Sequence, residues 1–124
     1  MPHKILLVDD EPNILLSLQF LMQRAGYQVT TAADGEQALQ RVASDPPDLI
    51  LLDINMPRLN GYEVCERIRA NPGWQGVRIL LLTAKGREVE KEKGLALGAD
   101  DYVTKPFSNQ ELTDKVQALL GRER

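Results

Sequence analysis

The stretch Leu49-Ile50-Leu51-Leu52-Asp53-Ile54-Asn55 decides the fold, because a continuous apolar run stands directly before polar side chains. A short run of this kind is typical of a strand that is covered on both faces, as in a parallel sheet. Ile5 to Val8 and Ile79 to Leu82 repeat the pattern, and each is also followed by polar residues. The three runs predict the central strands of a parallel sheet.

Two further strand candidates, around Val29 and at Tyr102-Val103, contain fewer apolar residues. A strand at the edge of a sheet is less completely covered and carries more polar side chains than a central strand. We therefore expect these two strands at the edges of the sheet.

Apolar residues at helical spacing fill the gaps between the strand candidates and follow the last one. The helical segments are Ile14 to Met22, Ala38 to Val42, Gly61 to Ile68, about Arg87 to Leu97, and Leu112 to Leu120. Ser108 is expected to cap the fifth helix, and the fourth, which is poorly amphipathic, is expected to be marginal and mobile. The strict alternation predicts one α/β domain over residues 1–124, with a doubly wound parallel sheet.

Composition restricts the classes of protein to which the chain can belong. The net charge of −3 disfavours direct nucleic-acid binding by this domain, because nucleic-acid-binding proteins usually carry a basic surface. No apolar run reaches the length of a membrane span, and a strand that starts near Lys4 leaves no room for a signal peptide. Cys65 is the only cysteine, and we expect it to be an inert, partly buried thiol. A cytoplasmic protein without membrane contact is expected.

Polar residues follow four of the strand candidates at the point where each strand ends. In a doubly wound sheet, ligands bind at the carboxyl ends of the strands, so these residues are expected to share one rim. They are Asp9 and Asp10 after the first strand, Asp53 and Asn55 after the third, Thr83 and Ala84 after the fourth, and Lys105 after the fifth.

Three carboxylates on one rim repel each other, by about 4 kcal/mol for a pair about 4 Å apart at an effective dielectric constant of about 20. A divalent cation with oxygen ligands relieves this repulsion, and Mg²⁺ typically combines carboxylates with waters and phosphate oxygens. A carboxylate can also act as a nucleophile and form an aspartyl phosphate. Lys105 would then neutralise phosphoryl oxygens, while the Thr83 hydroxyl and the backbone N–H of Ala84 donate hydrogen bonds to them.

Four segments, in order and spread over nearly the whole chain, resemble motifs of the receiver domains of bacterial two-component response regulators. They are Leu7 to Pro12, Asp53 to Pro57 with Asn60-Gly61, Leu82 to Lys85, and Gly98 to Phe107. The chain is similar to the receivers of chemotaxis proteins and of regulators with winged-helix effectors. The resemblance implies a flavodoxin-like (βα)5 three-layer sandwich with strand order 2-1-3-4-5.

The resemblance also implies a role for each carboxylate. Asp53 would be the phosphoacceptor, and a sensor histidine kinase or phosphotransfer protein would supply the phosphoryl group from a phosphohistidine. Asp10, Asp53 and the backbone carbonyl of Asn55 would bind Mg²⁺ (or Mn²⁺) directly, and Asp9 would act through waters of the metal.

The remaining motif residues would couple phosphorylation to a change in shape. The resemblance makes Lys105 the partner of the phosphoryl group, Thr83 the switch hydroxyl and Tyr102 its aromatic partner, and it implies a cis peptide bond between Lys105 and Pro106. Lys85 and Asn55 flank the predicted site in the sequence, and we expect both to tune the lifetime of the phosphoryl group.

Receivers of winged-helix regulators, by the same resemblance, dimerise through the fourth helix, the fifth strand and the fifth helix. This sequence offers Lys91 with Glu111, and Asp101 with Lys115, as charge pairs between two copies. Exposed pairs contribute about 0–1 kcal/mol each, so we expect at most a weak homodimer. An output domain in a longer regulator and a free-standing receiver are both compatible with the sequence.

Three other interpretations compete with that of a receiver switch. A haloacid-dehalogenase-like phosphatase also uses a strand-end aspartate, but Asn55 stands where its general acid would be needed. A flavodoxin-like cofactor binder needs a phosphate loop where Asp9 and Asp10 would repel phosphate. A degenerate receiver that serves only as a protein-interaction scaffold would not need the complete set of rim residues, namely the aspartates, the threonine and the lysine. The sequence favours a switch that promotes its own phosphorylation and dephosphorylation, and not an enzyme that turns over a separate substrate.

Overall fold

The computed structural model describes residues 2–84 and 88–121, and strands and helices alternate throughout them. The strands are β1 (Lys4–Val8), β2 (Gln28–Ala32), β3 (Leu49–Asp53), β4 (Arg78–Ala84) and β5 (Asp101–Lys105). The helices are α1 (Pro12–Arg24), α2 (Gly35–Ser44), α3 (Gly61–Ala70), α4 (Glu88–Ala96) and α5 (Asn109–Leu120), with a short 3₁₀ turn at Pro72–Trp74.

The five strands form one parallel sheet in the order β2-β1-β3-β4-β5. The expected flavodoxin-like architecture is confirmed, and so is the placement of the two weakly apolar strands, β2 and β5, at the edges. All five carboxyl ends lie at the same edge of the sheet, where the polar residues follow.

Apolar side chains fill the space on both faces of the sheet. Residues of α1 and α5 cover one face, and residues of α2 and α3 cover the other; they include Leu18, Met22, Leu112 and Val116 on the first face and Ala38, Val42, Val64 and Ile68 on the second. Every residue of β3 is buried. Burial on both faces explains the continuous apolar run, since each buried Leu or Ile stabilises the fold by roughly 1.5–3 kcal/mol.

Side chains cap three of the helices at their amino ends. The caps are Asp34 for α2, Asn60 for α3 and Ser108 for α5, which accept hydrogen bonds from the backbone N–H groups of Gln37, Glu63 and Glu111. The prediction for Ser108 is confirmed. A lost cap of this kind typically costs about 1 kcal/mol.

The helix α4 has little apolar surface facing the sheet, as predicted. Val89 is 76% exposed and Leu95 43% exposed, whereas Gly94 is buried against Leu81 of β4. The glycine permits this close approach, because a Cβ at position 94 would run into the Leu81 side chain. Arg87, where the helix was expected to begin, lies outside the described residues, and the marginal stability of α4 stays a prediction.

Two further expectations concern burial and membranes. Cys65 is fully buried in α3, and burial raises the pKa of its thiol to about 11.

Within residues 2–84 and 88–121, no helix combines the length and the apolar character that crossing a bilayer requires.

Candidate functional site

Three carboxylates meet at the carboxyl edge of the sheet. Asp9 and Asp10 follow β1, and Asp53 ends the neighbouring strand β3. One oxygen from each of the three lies within 4.8 Å of the others. Asp9 is 0% and Asp53 4% exposed, whereas Asp10 is exposed to solvent. The cluster is therefore open on the Asp10 side and closed behind Asp9 and Asp53.

The ammonium group of Lys105 lies against two of these carboxylates. Its Nζ is 3.3 Å from Oδ2 of Asp9 and 3.6 Å from Oδ1 of Asp53. Lys105 ends β5 at the edge of the sheet, and its register partner on β4 is Ala84. The side chain thus reaches carboxylates that lie two strands away, at the end of β3, and three strands away, after β1, as the shared rim predicted.

Backbone N–H groups of the following loops orient the carboxylates. Oδ1 of Asp9 accepts a hydrogen bond from the N–H of Glu11 at 2.9 Å, and Oδ1 of Asp53 accepts one from the N–H of Asn55 at 3.2 Å. Burial and then the charge of Asp9 raise the pKa of Asp53 to about 6, although Lys105 and the Asn55 N–H oppose the shift. One lysine therefore does not compensate the clustered negative charge.

The loop after Asp53 is held against the start of α3 by backbone contact. The N–H of Gly61 donates a hydrogen bond to the carbonyl of Ile54 at 3.0 Å. A Cβ at position 61 would lie 2.6 Å from the Asp53 carbonyl oxygen and 2.7 Å from the Cα of Ile54. Arg58, between them, has a positive φ of 65°. In the sequence, Asn60-Gly61 is recognisable only as part of a motif; the structure shows that position 61 needs a glycine because the backbones approach each other closely there.

Thr83 is fully buried at the end of β4, and its hydroxyl is turned toward β5. Its Oγ1 lies 3.5 Å from the carbonyl oxygen of Val103 and 3.4 Å from Oγ1 of Thr104. Both distances are long for hydrogen bonds between oxygens, so these contacts are weak. Little free energy holds the hydroxyl in this position.

Comparison with known proteins assigns the family. The model of the response regulator receiver domain matches residues 5–117. The chain belongs to the response-regulator receiver family. Phosphorylation and a magnesium site are features of this family, and the assignment favours the receiver interpretation over the phosphatase and the cofactor binder.

Individual receivers and regulators are closely similar to this receiver. The alkaline phosphatase synthesis transcriptional regulatory protein PhoP of Bacillus subtilis is 50% identical over 122 residues, which are 98% of this chain and 50% of that protein. A putative response regulator from Chloroflexus aurantiacus is 40% identical, has a TM-score of 0.95, and is matched over 98% of this chain and 100% of its own. The chain spans about half the length of the transcriptional regulators that it matches.

A second similar structure bears on the acidic cluster. It is the receiver domain of a sensor histidine kinase from Pseudomonas aeruginosa, with a magnesium ion coordinated in the active-site cleft. It is 35% identical, has a TM-score of 0.89, and is matched over 98% of this chain and 100% of its own. The donor set of Asp9, Asp10 and Asp53 consists of carboxylate oxygens, which suit a hard divalent cation, so the cluster of this receiver can bind a metal ion.

Tyr102 of the receiver lies between two lysines. The Nζ of Lys91 on α4 is 5.0 Å and that of Lys115 on α5 is 5.1 Å from the centre of its ring. Lys115 also donates a hydrogen bond to the backbone carbonyl of Tyr102 and lies 3.3 Å from Oδ1 of Asp101. The sequence placed the Asp101–Lys115 pair between two copies, whereas in this structure the two residues pair within one chain.

Other expected residues are at the rim or outside the described part of the chain. The peptide bond between Lys105 and Pro106 is cis. Asn55 is exposed beside Asp53, and Ala84 is half-buried at the end of β4. Lys85, expected to tune the phosphoryl lifetime, lies outside the described residues.

Proposed function

We propose that this receiver is a cytoplasmic phosphorylation switch of a two-component system, formed by residues 1–124 as one domain. Asp53 accepts a phosphoryl group from a phosphohistidine on a sensor histidine kinase or a phosphotransfer protein. One observation carries the proposal: Lys105 reaches across the sheet edge to within 3.3 Å of Asp9 and 3.6 Å of Asp53. A cation at that position can stay with the phosphoryl group after transfer.

In the transfer, an ionised oxygen of Asp53 attacks the phosphorus atom. The new O–P bond forms as the P–N bond to the donor imidazole breaks, and the imidazole nitrogen retains the electron pair. Asp53 is ionised above its raised pKa of about 6 and therefore needs no base to activate it. Lys105, the Ala84 backbone N–H and the Thr83 hydroxyl then bind phosphoryl oxygens.

Asp10, Asp53 and the carbonyl of Asn55 would hold Mg²⁺ or Mn²⁺ directly, with Asp9 acting through waters. The bound ion would supply positive charge that offsets the carboxylates and the phosphoryl oxygens. The burial of Asp9 supports an indirect role, because the open side of the cluster is at Asp10.

Phosphorylation would change the surface formed by α4, β5 and α5. Thr83 leaves its weak contacts with β5 to bind the phosphoryl group, and Tyr102 turns into the space that Thr83 vacates. A phosphoryl group can shift this equilibrium only through contacts that differ between the two states, which here are those of Thr83 and Lys105. The changed surface would act on an output domain, on a separate partner, or on a second copy in a weak homodimer.

Chemical phosphorylation tests the proposal. Incubation with acetyl phosphate and Mg²⁺ is expected to add one phosphoryl group, measured by intact mass. Asp53→Asn should lose the adduct, and Asp114→Asn, an exposed carboxylate on α5, should retain it. Persistence of the adduct in Asp53→Asn would refute the assignment of the phosphoacceptor. Catalytic turnover of a separate phosphate ester would favour the phosphatase interpretation.

A further inference from the structure

The side chain of Arg69, on α3, is bound to the turn that follows α4. Its Nε donates a hydrogen bond of 2.8 Å to the backbone carbonyl of Gly98, and its Nη2 donates one of 2.9 Å to Oδ2 of Asp100. The side chains of Arg69 and Asp100 are only 14% and 12% exposed. Charge-assisted hydrogen bonds are stronger than those between neutral groups, and burial limits the competition from water. The carboxyl end of α4 is therefore held firmly against α3.

Asp100 also binds the sheet, at the second residue of β4. Its Oδ2 accepts a hydrogen bond of 2.8 Å from the backbone N–H of Ile79, and its own N–H donates one of 2.9 Å to the carbonyl of Ile79. We refer to Arg69, Gly98, Asp100 and Ile79 as the Arg69 anchor. The anchor joins α3, α4 and β4 at the edge of the sheet opposite to the carboxylate cluster.

The main chain at the end of α4 fits this arrangement. The N–H of Ala99 donates a hydrogen bond of 3.1 Å to the carbonyl of Gly94, and the N–H of Gly98 donates one of 3.1 Å to the carbonyl of Leu95. These bonds occupy carbonyl groups that a helix otherwise leaves unpaired at its carboxyl end. A Cβ at position 98 would lie 2.6 Å from Cγ of Arg69, so the arginine packs directly on the Gly98 backbone. Little freedom is left for α4 to slide along α3.

The amino-terminal half of α4 makes contacts of a different kind. Val89 is 76% exposed, and Nζ of Lys91 lies 5.0 Å from the centre of the Tyr102 ring. In the function proposed above, Tyr102 turns when Thr83 binds the phosphoryl group, so the contact of Lys91 has to change. The hydrogen bonds of the Arg69 anchor, by contrast, involve none of the switch residues. The two ends of α4 therefore respond differently to phosphorylation.

We propose that Arg69 is a positioning residue of the switch, which keeps the carboxyl end of α4 in the same place before and after phosphorylation. The inference rests on the function proposed above. Activation then rotates α4 about the Arg69 anchor and displaces its amino end, and the helix does not move as a whole. The nine residues of α4 span about 13 Å, so a small rotation at the anchor becomes a larger displacement at the amino end. Contacts that are equal in both states shift no equilibrium, so Arg69 determines where α4 moves and not how tightly the phosphoryl group is held.

The Nε–H resonance of Arg69 tests the anchor in the wild type. Beryllofluoride, with Mg²⁺ present, serves as the mimic of the phosphoryl group. It should shift the amide resonances of Glu90 and Lys91 and leave the Arg69 Nε–H and the amides of Gly98 and Ala99 at their original positions. Hydrogen exchange at the Ala99 amide should be equally slow with and without the mimic.

Loss of the anchor should change the pattern of the movement and not the affinity. In Arg69→Met, the shifts caused by beryllofluoride should extend to Gly98 and Ala99, whereas the apparent dissociation constant should stay within about twofold of the wild type. A purely structural role of Arg69 would lower stability without this spread. Arg67→Met is the matched control, because Arg67 is exposed on the same helix, and it should keep the wild-type pattern. Arg69→Lys keeps the charge but lacks the fork of donors; it should show a smaller spread and replaces Arg69→Met if that variant does not fold.

Three results would overturn the inference. They are a changed Arg69 Nε–H resonance in the beryllofluoride-bound wild type, shifts in the Arg69 variants that stay confined to the amino-terminal half of α4, and a change of more than about twofold in the dissociation constant. Labelling of Asp53 by acetyl phosphate separates this inference from the proposed function. If labelling persists while the anchor opens, only the inference fails; if the wild type is not labelled, the proposed function itself fails.

Discussion

The ammonium group of Lys115 donates a hydrogen bond of 2.9 Å to the backbone carbonyl of Tyr102 and lies 5.1 Å from the centre of the same residue's ring. Lys91 approaches that ring at 5.0 Å. Tyr102 is thus held between α4 and α5, the two helices whose surface the proposed switch would change. Cation–π contacts at partly exposed sites contribute about 0.5–1 kcal/mol each.

The first prediction follows from these contacts. If Tyr102 has to leave the two lysines when the receiver is activated, Lys91→Met should favour activation. We expect the apparent dissociation constant for beryllofluoride, with Mg²⁺ present, to fall by about two- to fivefold. Lys93→Met is the matched control, because Lys93 lies on the same helix at 4.5 Å from the ring of Tyr62. An equal change in both variants, or persistence of the effect of Lys91→Met in a Tyr102→Leu background, would rule out the contact with Tyr102 as the cause.

Dimerisation gives a second prediction. Asp101 and Lys115 pair within one chain, so a dimer that uses them between chains has to exchange one pair for another. The net gain is small, and we expect weak association that increases with beryllofluoride and decreases with salt. Lys115→Arg should strengthen the dimer, because a guanidinium can bind the carboxylates of its own chain and of its partner. Sedimentation would show this, and a receiver that stays monomeric in all these states at high concentration would exclude the dimer.

A third prediction concerns the stability of the metal-free receiver. The pKa of Asp53 is about 6 in the folded state, whereas an aspartate in the unfolded chain has a pKa of about 3.9. The folded state binds this proton more tightly, so the contribution to stability is present below about pH 4 and is lost as the pH rises through about 6. In EDTA at pH 7, Asp53→Asn should unfold in urea with a free energy higher by roughly 1–3 kcal/mol.

Fluorescence of Trp74, the only tryptophan, would follow this unfolding. The advantage of Asp53→Asn should shrink toward pH 4 and disappear below about pH 3, where the wild-type carboxyl is protonated in both the folded and the unfolded state. Asp114→Asn should match the wild type throughout. A difference that is constant with pH would mean that ionisation of Asp53 is not its source.

A fourth prediction concerns Gly61. Gly61→Ala places a Cβ 2.6 Å from the Asp53 carbonyl oxygen, so the backbone of the loop or of α3 has to shift. We expect a loss of about 1–3 kcal/mol in the free energy of unfolding and weaker magnesium binding. Gly76→Ala is the control, because a Cβ added at position 76 would have no atom within 4 Å. This variant should change the free energy of unfolding by less than about 0.5 kcal/mol. If the Gly61→Ala variant is destabilised but binds magnesium with normal affinity, the shift of the backbone around position 61 does not extend to the Asp53 carboxylate.

The sequence predicts the sheet and the rim for one physical reason. Apolar runs such as Leu49 to Leu52 are buried on both faces, and parallel strands bring their carboxyl ends to one edge. Asp9, Asp53 and Lys105 could therefore be expected to lie together although they are far apart in the chain.

Contacts that depend on side-chain conformation could not be predicted from the sequence pattern. Asp101 and Lys115 are 14 residues apart, and only the packing of α5 on the sheet determines that they pair within one chain. The hydroxyl direction of Thr83 likewise depends on how β4 and β5 fit together. The close contact at Gly61 was visible only as a motif, because a glycine in a sequence does not show which atom it approaches.

The close approach of Gly61 to the Asp53 backbone makes the surroundings of Asp53 stiffer on the α3 side than on the opposite side. On the α3 side, Gly61 lies so close to the Asp53 carbonyl and the Cα of Ile54 that not even a Cβ fits between them, so little free space is left for a displacement in that direction. On the opposite side, Thr83 is held by two long, weak contacts. If Asp53 is phosphorylated as proposed, we therefore expect the resulting motion to go toward β5 and α4, where the contacts are weak, while α3 stays in place as a rigid support.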